Sequence, residues 1–346
     1  MAHSPRRLVA GCALFWAALT GLLLLDPEPD HPQLPQGIEL APIPVSPAGL
    51  TNPESCRECH EREYQGWQHS GHAAAATASL FRVGMALEPS RWCLQCHDPE
   101  RPRDDRTRPV AGVTCQSCHA RAGGIATSRP PSEQHVSPHA LVHDPDLAGG
   151  KSCARCHQSD FPAQPAVNQD TYGEWERAGG EKAGRCVECH LSGHEFRGAH
   201  DAGLLARAVP ISARFIDGAL EITVGPVAAG HMVPTGDPFR MLEVAWEVRD
   251  RDAGRAIARG ERTFARRIRP ALMPAGETVV DGRDDRIAPG AVVTWRIALP
   301  PGERAGRHAT VKGTLRLLPA AMAPRELPAR DAATPFVTLD VLANVE

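Results

Sequence analysis

Cys56-Arg57-Glu58-Cys59-His60 is the first of five stretches with one spacing. The others are Cys93-Leu94-Gln95-Cys96-His97, Cys115-Gln116-Ser117-Cys118-His119, Cys153-Ala154-Arg155-Cys156-His157 and Cys186-Val187-Glu188-Cys189-His190. Two thiols three residues apart can add to the two vinyl groups of one haem, and the adjacent His then lies beneath the iron as its proximal ligand. The motifs use ten of the eleven cysteines, so no pair remains for a disulfide framework. Zinc explains the pattern less well. Tetrahedral structural sites take two Cys pairs per ion, which leaves one of five pairs unmatched, and zinc gives no reason for His to follow every second Cys. The expectation is therefore five covalently attached haems, with His60, His97, His119, His157 and His190 as proximal ligands.

Outward from this block the chain changes character. Residues 51–203 are rich in Cys, His, Gly and Ala and have few apolar runs, at about thirty residues per motif. Such a segment has little aliphatic material for a core of its own, so the macrocycles are expected to supply it, with short helices and loops around them. Like small metal-dependent domains, it is not expected to fold without its cofactor.

From 204 to 346 the pattern has period two. Leu220, Ile222 and Val224 alternate with polar residues, as do Leu242, Val244, Trp246 and Val248, then Val293, Trp295, Ile297 and Leu299, then Val337, Leu339 and Val341. Alternation broken by Gly and Pro turns marks half-buried strands and predicts an antiparallel β-sandwich. The fold class expected is α+β and multidomain: a haem-organised helical and loop domain followed by a β-sandwich.

The N-terminal end reads as an export signal. Arg6 and Arg7 precede an uncharged apolar run, Leu8 to Leu25. Eighteen helical residues span roughly 27 Å, close to a bilayer's hydrocarbon core. The basic flank places the rest of the chain outside. Residues 1–25 are thus expected to be a membrane anchor, or a signal if cleaved, with Cys12 a small apolar residue within it. Residues 26–50 carry seven prolines and form a semi-rigid linker. The net charge of −3 decides little, and no basic block interleaved with aromatics points to nucleic acid.

Whether such a chain carries electrons or performs chemistry depends on the sixth position of each iron. Iron held by two His passes electrons, whereas iron with an open position can bind a small molecule. Of sixteen His, five are proximal, and His3 and His31 lie in the anchor and linker. His69, His72, His135, His139, His143, His194, His200, His231 and His308 remain. The distal set expected is His72, His135, His194, His200 and His231. His72 is placed on a helix after the first motif, with His69 one turn earlier. His135 is chosen from three His spaced by four, where Pro138 interrupts a simple helix. His308 reads as surface in a Gly-rich turn, and Met85 and Met232 are alternative thioether ligands.

Over residues 51–250 the chain resembles the multihaem c-type cytochromes related to the tetrahaem electron carrier of ammonia-oxidising bacteria. The residues that carry the likeness are Cys56 to His60 followed by Trp67, Ser70 and His72, and Gly112-Val113-Thr114 before the third motif. Tyr172-Gly173-Glu174-Trp175, His194-x-Phe196-x-Gly198 and Gly230-His231-x-x-Pro234-Thr235-Gly236 belong to it as well. The resemblance implies that His72 is the distal ligand of a different haem from its own motif's. That group usually has Gly-Pro-Gly and then a distal His after the third motif, where this chain has Ala120-Arg121-Ala122-Gly123-Gly124. It also includes members with an open high-spin haem.

The function expected is electron relay by a periplasm-facing, N-terminally anchored pentahaem cytochrome c, soluble in the periplasm if the signal is cleaved. The donor would be a quinol-oxidising membrane protein and the acceptor a periplasmic or outer-membrane protein. The rival is a periplasmic oxidoreductase with one open haem acting on a small nitrogen or sulfur compound, with His69, His139, His143 and Tyr172 as acid-base groups. The absence of a Cys-x-x-Cys-Lys variant weighs against the rival.

Overall fold

The computed structural model describes residues 53–343 except 88–89, 101–110, 133–136, 161–166, 251–253, 274–275, 302–306 and 318–332. The expected anchor and linker lie outside the described residues, as does His135. Among the described residues no helix is long and apolar enough to cross a membrane. All of them belong to one compact unit, Glu39–Glu346.

Each motif sits on a short helix. These are α1 (Pro53–Arg57), α4 (Arg91–His97), α5 (Cys115–His119), α6 (Lys151–His157) and α8 (Cys186–His190). Helical spacing puts Cys i and i+3 on one face. The first motif outruns α1, but the His60 amide still donates to the Cys56 carbonyl at 2.9 Å, which continues the turn. Between the motifs run α2 (Glu61–Gln68), α3 (Ser79–Leu87) and α7 (Thr171–Arg177). Isolated helices this short are not stable in water, so tertiary contacts must hold them. Apolar side chains supply few of those contacts: among the described residues before Leu205 the buried ones are Pro53, Tyr64, Ala76, Ala120, Ala126 and Trp175. Two small sheets complete the region. One has β1 (Ala120–Arg121) antiparallel to β2 (Gly124–Thr127), which runs parallel to β3 (Leu141–His143). The other pairs β4 (Ser159–Asp160) with β5 (Val167–Gln169).

The C-terminal part is a sandwich of two antiparallel sheets, introduced by α9 (Ala202–Ala208). One sheet has β6 (Ile211–Ile216) and β7 (Ala219–Val224), with β11 (Val293–Ala298) on the far side of β7. The other comprises β8 (Met241–Asp250), β9 (Ala256–Met273), β10 (Gly276–Asp284), β12 (Arg307–Arg316) and β13 (Ala333–Leu342), in the order β10-β9-β8-β12-β13. Leu220, Ile222 and Val224 share one core with Leu242, Val244, Val248, Val311 and Leu315. Leu205 of α9 belongs to the same core, so the helix before the first strand is part of the sandwich.

Two local expectations are corrected. His72 does not lie on a helix: α2 stops at Gln68, and 71–77 is a run of turns whose amides bond locally, as Ala75 N does to His72 O at 3.1 Å. His308 is not in a turn. It belongs to β12, pairs with Leu342 and Arg249 across the ladder, and its Nε2 lies 3.2 Å from Asp340.

Candidate functional site

Four pairs of imidazole rings stand out in the described residues. Each joins one motif His to one non-motif His. The centroid separations are 6.4 Å for His60 and His139, 6.3 Å for His72 and His157, 6.3 Å for His119 and His194, and 6.1 Å for His190 and His231. Two imidazoles sharing one iron through bonds of about 2 Å, each ring centre about 1 Å beyond its nitrogen, have centroids about 6 Å apart. The separations therefore fit a shared iron.

The remaining motif His, that of the second motif, is different. His97 stacks on Phe81 at 4.2 Å and 19°. No described His ring pairs with it.

The hydrogen bonds fix which ring nitrogen is free. Nδ1 of His97 donates to Ala75 O at 2.7 Å, that of His119 to Ala126 O at 2.9 Å, and that of His190 to Arg197 O at 2.6 Å. His231 donates likewise to Met232 O at 2.9 Å. A carbonyl can only accept, so Nδ1 carries the proton and Nε2 keeps the lone pair a metal needs. Burial holds His72, His119, His194 and His231 below the ordinary imidazole range, which keeps them neutral. Burial, with smaller contributions led by His72, lowers His157 to about 4. His157 keeps accessible surface beside its partner ring, His72. Nδ1 of His72 is buried with no hydrogen-bond partner. Paired rings and free Nε2 atoms both fit iron-bearing macrocycles.

The thiols order the motifs in space. All ten described cysteines are free thiols. Cys56 hydrogen-bonds Cys115, Cys96 hydrogen-bonds Cys156, and Cys153 hydrogen-bonds Cys186. Cys118, which burial pushes up to about 11, also feels the charge of Cys156. The motifs thus form a contiguous series, first, third, fourth and fifth, with the second beside the fourth.

The stretches outside the motifs that carry the family resemblance are the parts that hold the non-motif His. Trp67 Nε1 donates to Val113 O at 2.8 Å, and Val113 N donates to His72 O at 3.0 Å. Gly112, at φ +76°, is required there, because a Cβ would lie 2.5 Å from Ala73 O. Thr114 then caps α5: its Oγ1 accepts from Gln116 N at 3.2 Å, and Ser117 Oγ accepts from Thr114 N at 2.9 Å. One strap therefore places both His72 and the third motif.

His194 is held by close backbone packing. A Cβ on Gly66 of α2 would lie 1.8 Å from Gly193 O. Gly193, His194 and Phe196 all have positive φ, at +57°, +69° and +47°. For the two non-glycine residues this is a strained conformation of the kind that persists where surroundings impose it.

His231 depends on a buried polar cluster. Thr235 Oγ1 donates to Glu174 Oε2 at 2.7 Å, and the Thr171 hydroxyl lies 3.0 Å from that of Thr235. Arg286 Nη1 donates to Glu174 Oε1 at 2.5 Å and its Nη2 to Asp284 at 2.8 Å. The Glu174 side chain is 2% exposed, and burial raises its pKa against the opposing pull of Thr235 and Arg286. Trp175 closes the cluster, with Nε1 donating to Gly184 O at 2.8 Å. The 172–175 and 230–236 stretches are thus two halves of one joint.

Of the distal set expected from sequence, His72, His194 and His231 each stand opposite a motif His. His200 is exposed at a turn and is in none of the four pairs. His139, passed over in favour of His135, faces His60. Its signal was present in the His repeat, but spacing could not say which ring reaches across. His69 and His143 are exposed, Met85 is half-buried in α3, and Tyr172 hydrogen-bonds Glu176.

Residues 55–120 match the family described as cytochrome c554 and c-prime. The fold is similar to the crystal structure of a penta-heme cytochrome c552 from Thermochromatium tepidum, with a TM-score of 0.68 and 19% identity over 84% of this chain and 98% of that chain. No curated protein matches the chain. The matched segment, the shared fold and the motif chemistry together support a multihaem c-type cytochrome.

Proposed function

We propose that this chain is a pentahaem cytochrome c that relays electrons between redox partners. The observation that carries the reading is the set of four His pairs, each uniting one motif with one remote imidazole at the spacing of a shared iron. The ten motif cysteines would hold the macrocycles. His60 with His139, His157 with His72, His119 with His194, and His190 with His231 would hold four irons. Haem supplies one-electron chemistry, and an iron with two imidazoles can take up and pass on an electron but cannot bind a substrate. The chain's own residues fix the imidazole tautomers and bring the motifs into a contiguous series.

The wider setting is part of the same proposal. Export through residues 1–25 would leave the protein anchored on the periplasmic side of the cytoplasmic membrane, or free there if the segment is cleaved. A quinol-oxidising membrane protein would be the donor and a periplasmic or outer-membrane protein the acceptor.

A second reading starts from His97, which faces none of the described His rings while each of the other four motif His faces one. The iron of the second motif would then keep an open position. That centre could act on a small nitrogen or sulfur compound while the other four deliver electrons.

The test is a stoichiometric redox titration of the matured full chain. Five covalent haems that take up five electrons and return them to an added acceptor support the relay. Fewer than five haems, or haems that reduce but do not reoxidise, overturn it.

A further inference from the structure

His194-Glu195-Phe196-Arg197 follows the fifth motif in a loop tied at both ends. Glu195 N donates to Ser192 O at 3.1 Å. Arg197 N donates to His190 O at 2.8 Å, and Arg197 O accepts from His190 Nδ1 at 2.6 Å. Between these ties Phe196 holds φ at +47°, a left-handed conformation that is costly for a residue with a bulky side chain and persists where contacts impose it.

Those contacts are two imidazoles. The Phe196 ring meets His72 edge-on, with centroids 4.5 Å apart and planes at 63°, and stands at 86° to His194 with centroids 6.0 Å apart. Both separations lie in the range of about 4.5–7 Å over which crossed aromatic rings attract. The two imidazoles belong to different centres, since His72 faces His157 and His194 faces His119. Nδ1 of His97, His119, His190 and His231 is tied to a carbonyl, whereas Nδ1 of His72 is buried with no hydrogen-bond partner among the described residues. Packing therefore sets the plane of His72, and Phe196 is the ring packed on it.

We propose that Phe196 is a positioning residue shared by the third and fourth centres, fixing the imidazole planes of His194 and His72 together. This rests on the reading that both centres hold a haem. An imidazole on iron can rotate about its iron–nitrogen bond, so groups beyond the ligand must set its plane. In ferric haem with two imidazoles, the angle between their planes governs the splitting of the iron d orbitals and hence the electron paramagnetic resonance signal. The rings stand at 53° in the His72–His157 pair and at 28° in the His119–His194 pair, so the two centres should give separate low-spin signals. Removing the Phe196 ring releases both planes at once.

The experiment is electron paramagnetic resonance of the oxidised full chain, wild type against Phe196→Leu and Phe196→Tyr, with haem counted in each. Phe196→Leu keeps apolar bulk and loses the ring, whereas Phe196→Tyr keeps the ring. His72→Ala and His194→Ala, each of which should remove one low-spin signal, assign the two centres. The expected result is five haems throughout, those two signals moved in Phe196→Leu, and wild-type signals in Phe196→Tyr. Signals unmoved in Phe196→Leu, moved at one centre alone, moved at other centres, or moved equally in Phe196→Tyr overturn the proposal. If Phe196→Leu matures with fewer haems, a loss confined to the third and fourth motifs, with five haems and wild-type signals in Phe196→Tyr, supports the assignment. Any other pattern of loss overturns it. A wild type without haem at the third or fourth motif overturns the haem reading beneath the proposal, and the count on that protein tells the two failures apart.

Discussion

Gly66→Ala isolates the way this fold holds one non-motif His. The added Cβ would sit 1.8 Å from Gly193 O and 3.2 Å from His194 C. Ordinary carbon contacts are about 3.5 Å, so the two backbones must separate by about 1.5 Å. Neither side gives easily, since the obstacle is a main-chain carbonyl in a loop with three consecutive-to-near left-handed residues. Ala in a helix interior gains about 1 kcal/mol over Gly. Overpacking of a fitted contact costs about 1–3 kcal/mol. The clash outweighs the propensity gain by up to about 2 kcal/mol, with a Tm lowered by a few degrees. The functional effect is larger, because a displacement of about 1.5 Å is comparable with a metal–nitrogen bond of about 2 Å. His194 should let go of the centre it shares with His119, and the reduced protein should take up one more equivalent of carbon monoxide than wild type. Gly71→Ala is the control, since a Cβ there meets nothing within 4 Å. Identical carbon monoxide uptake and Tm in the two variants would refute the reasoning.

Further outcomes follow from the same physics. Glu174→Gln should lower stability by about 1–3 kcal/mol, less than the usual loss for a broken buried pair because Arg286 keeps Asp284; a thermal melt checks it. Leu220→Ala should cost about 2–5 kcal/mol by opening a cavity in the sandwich core, with haem content per folded chain unchanged. Expression in a host unable to attach haem should yield no compact 53–203 region, checked by proteolysis, because few buried apolar side chains are there to hold it.

The motifs were legible in the sequence because thioether chemistry demands one spacing whatever the fold. His72, His194 and His231 could be found for a related reason: each sits in a strap of Gly, Trp or Thr residues whose identities are dictated by close backbone contacts. His139 had no such strap, only the repeat around Pro138, and which ring crosses to His60 is a matter of tertiary structure. Strands β7, β8, β11 and β13 announced themselves by alternation. The central strand β12 did not, because its inward positions are Arg307, Ala309, Val311, Gly313 and Leu315, where small residues dilute the pattern. Gly313 is small for cause: a Cβ there would lie 2.5 Å from Ile211 Cδ1. That Phe81 stacks on His97 also required the fold, since nothing near Cys93 says which ring meets that imidazole.

The most direct measurement is a haem count on purified protein, followed by the spectrum of the reduced form before and after carbon monoxide. Four His pairs saturate four irons, so the account predicts five haems and a carbon monoxide shift amounting to no more than one of them. A shift involving two or more haems would contradict the assignment of ligands on which the account rests.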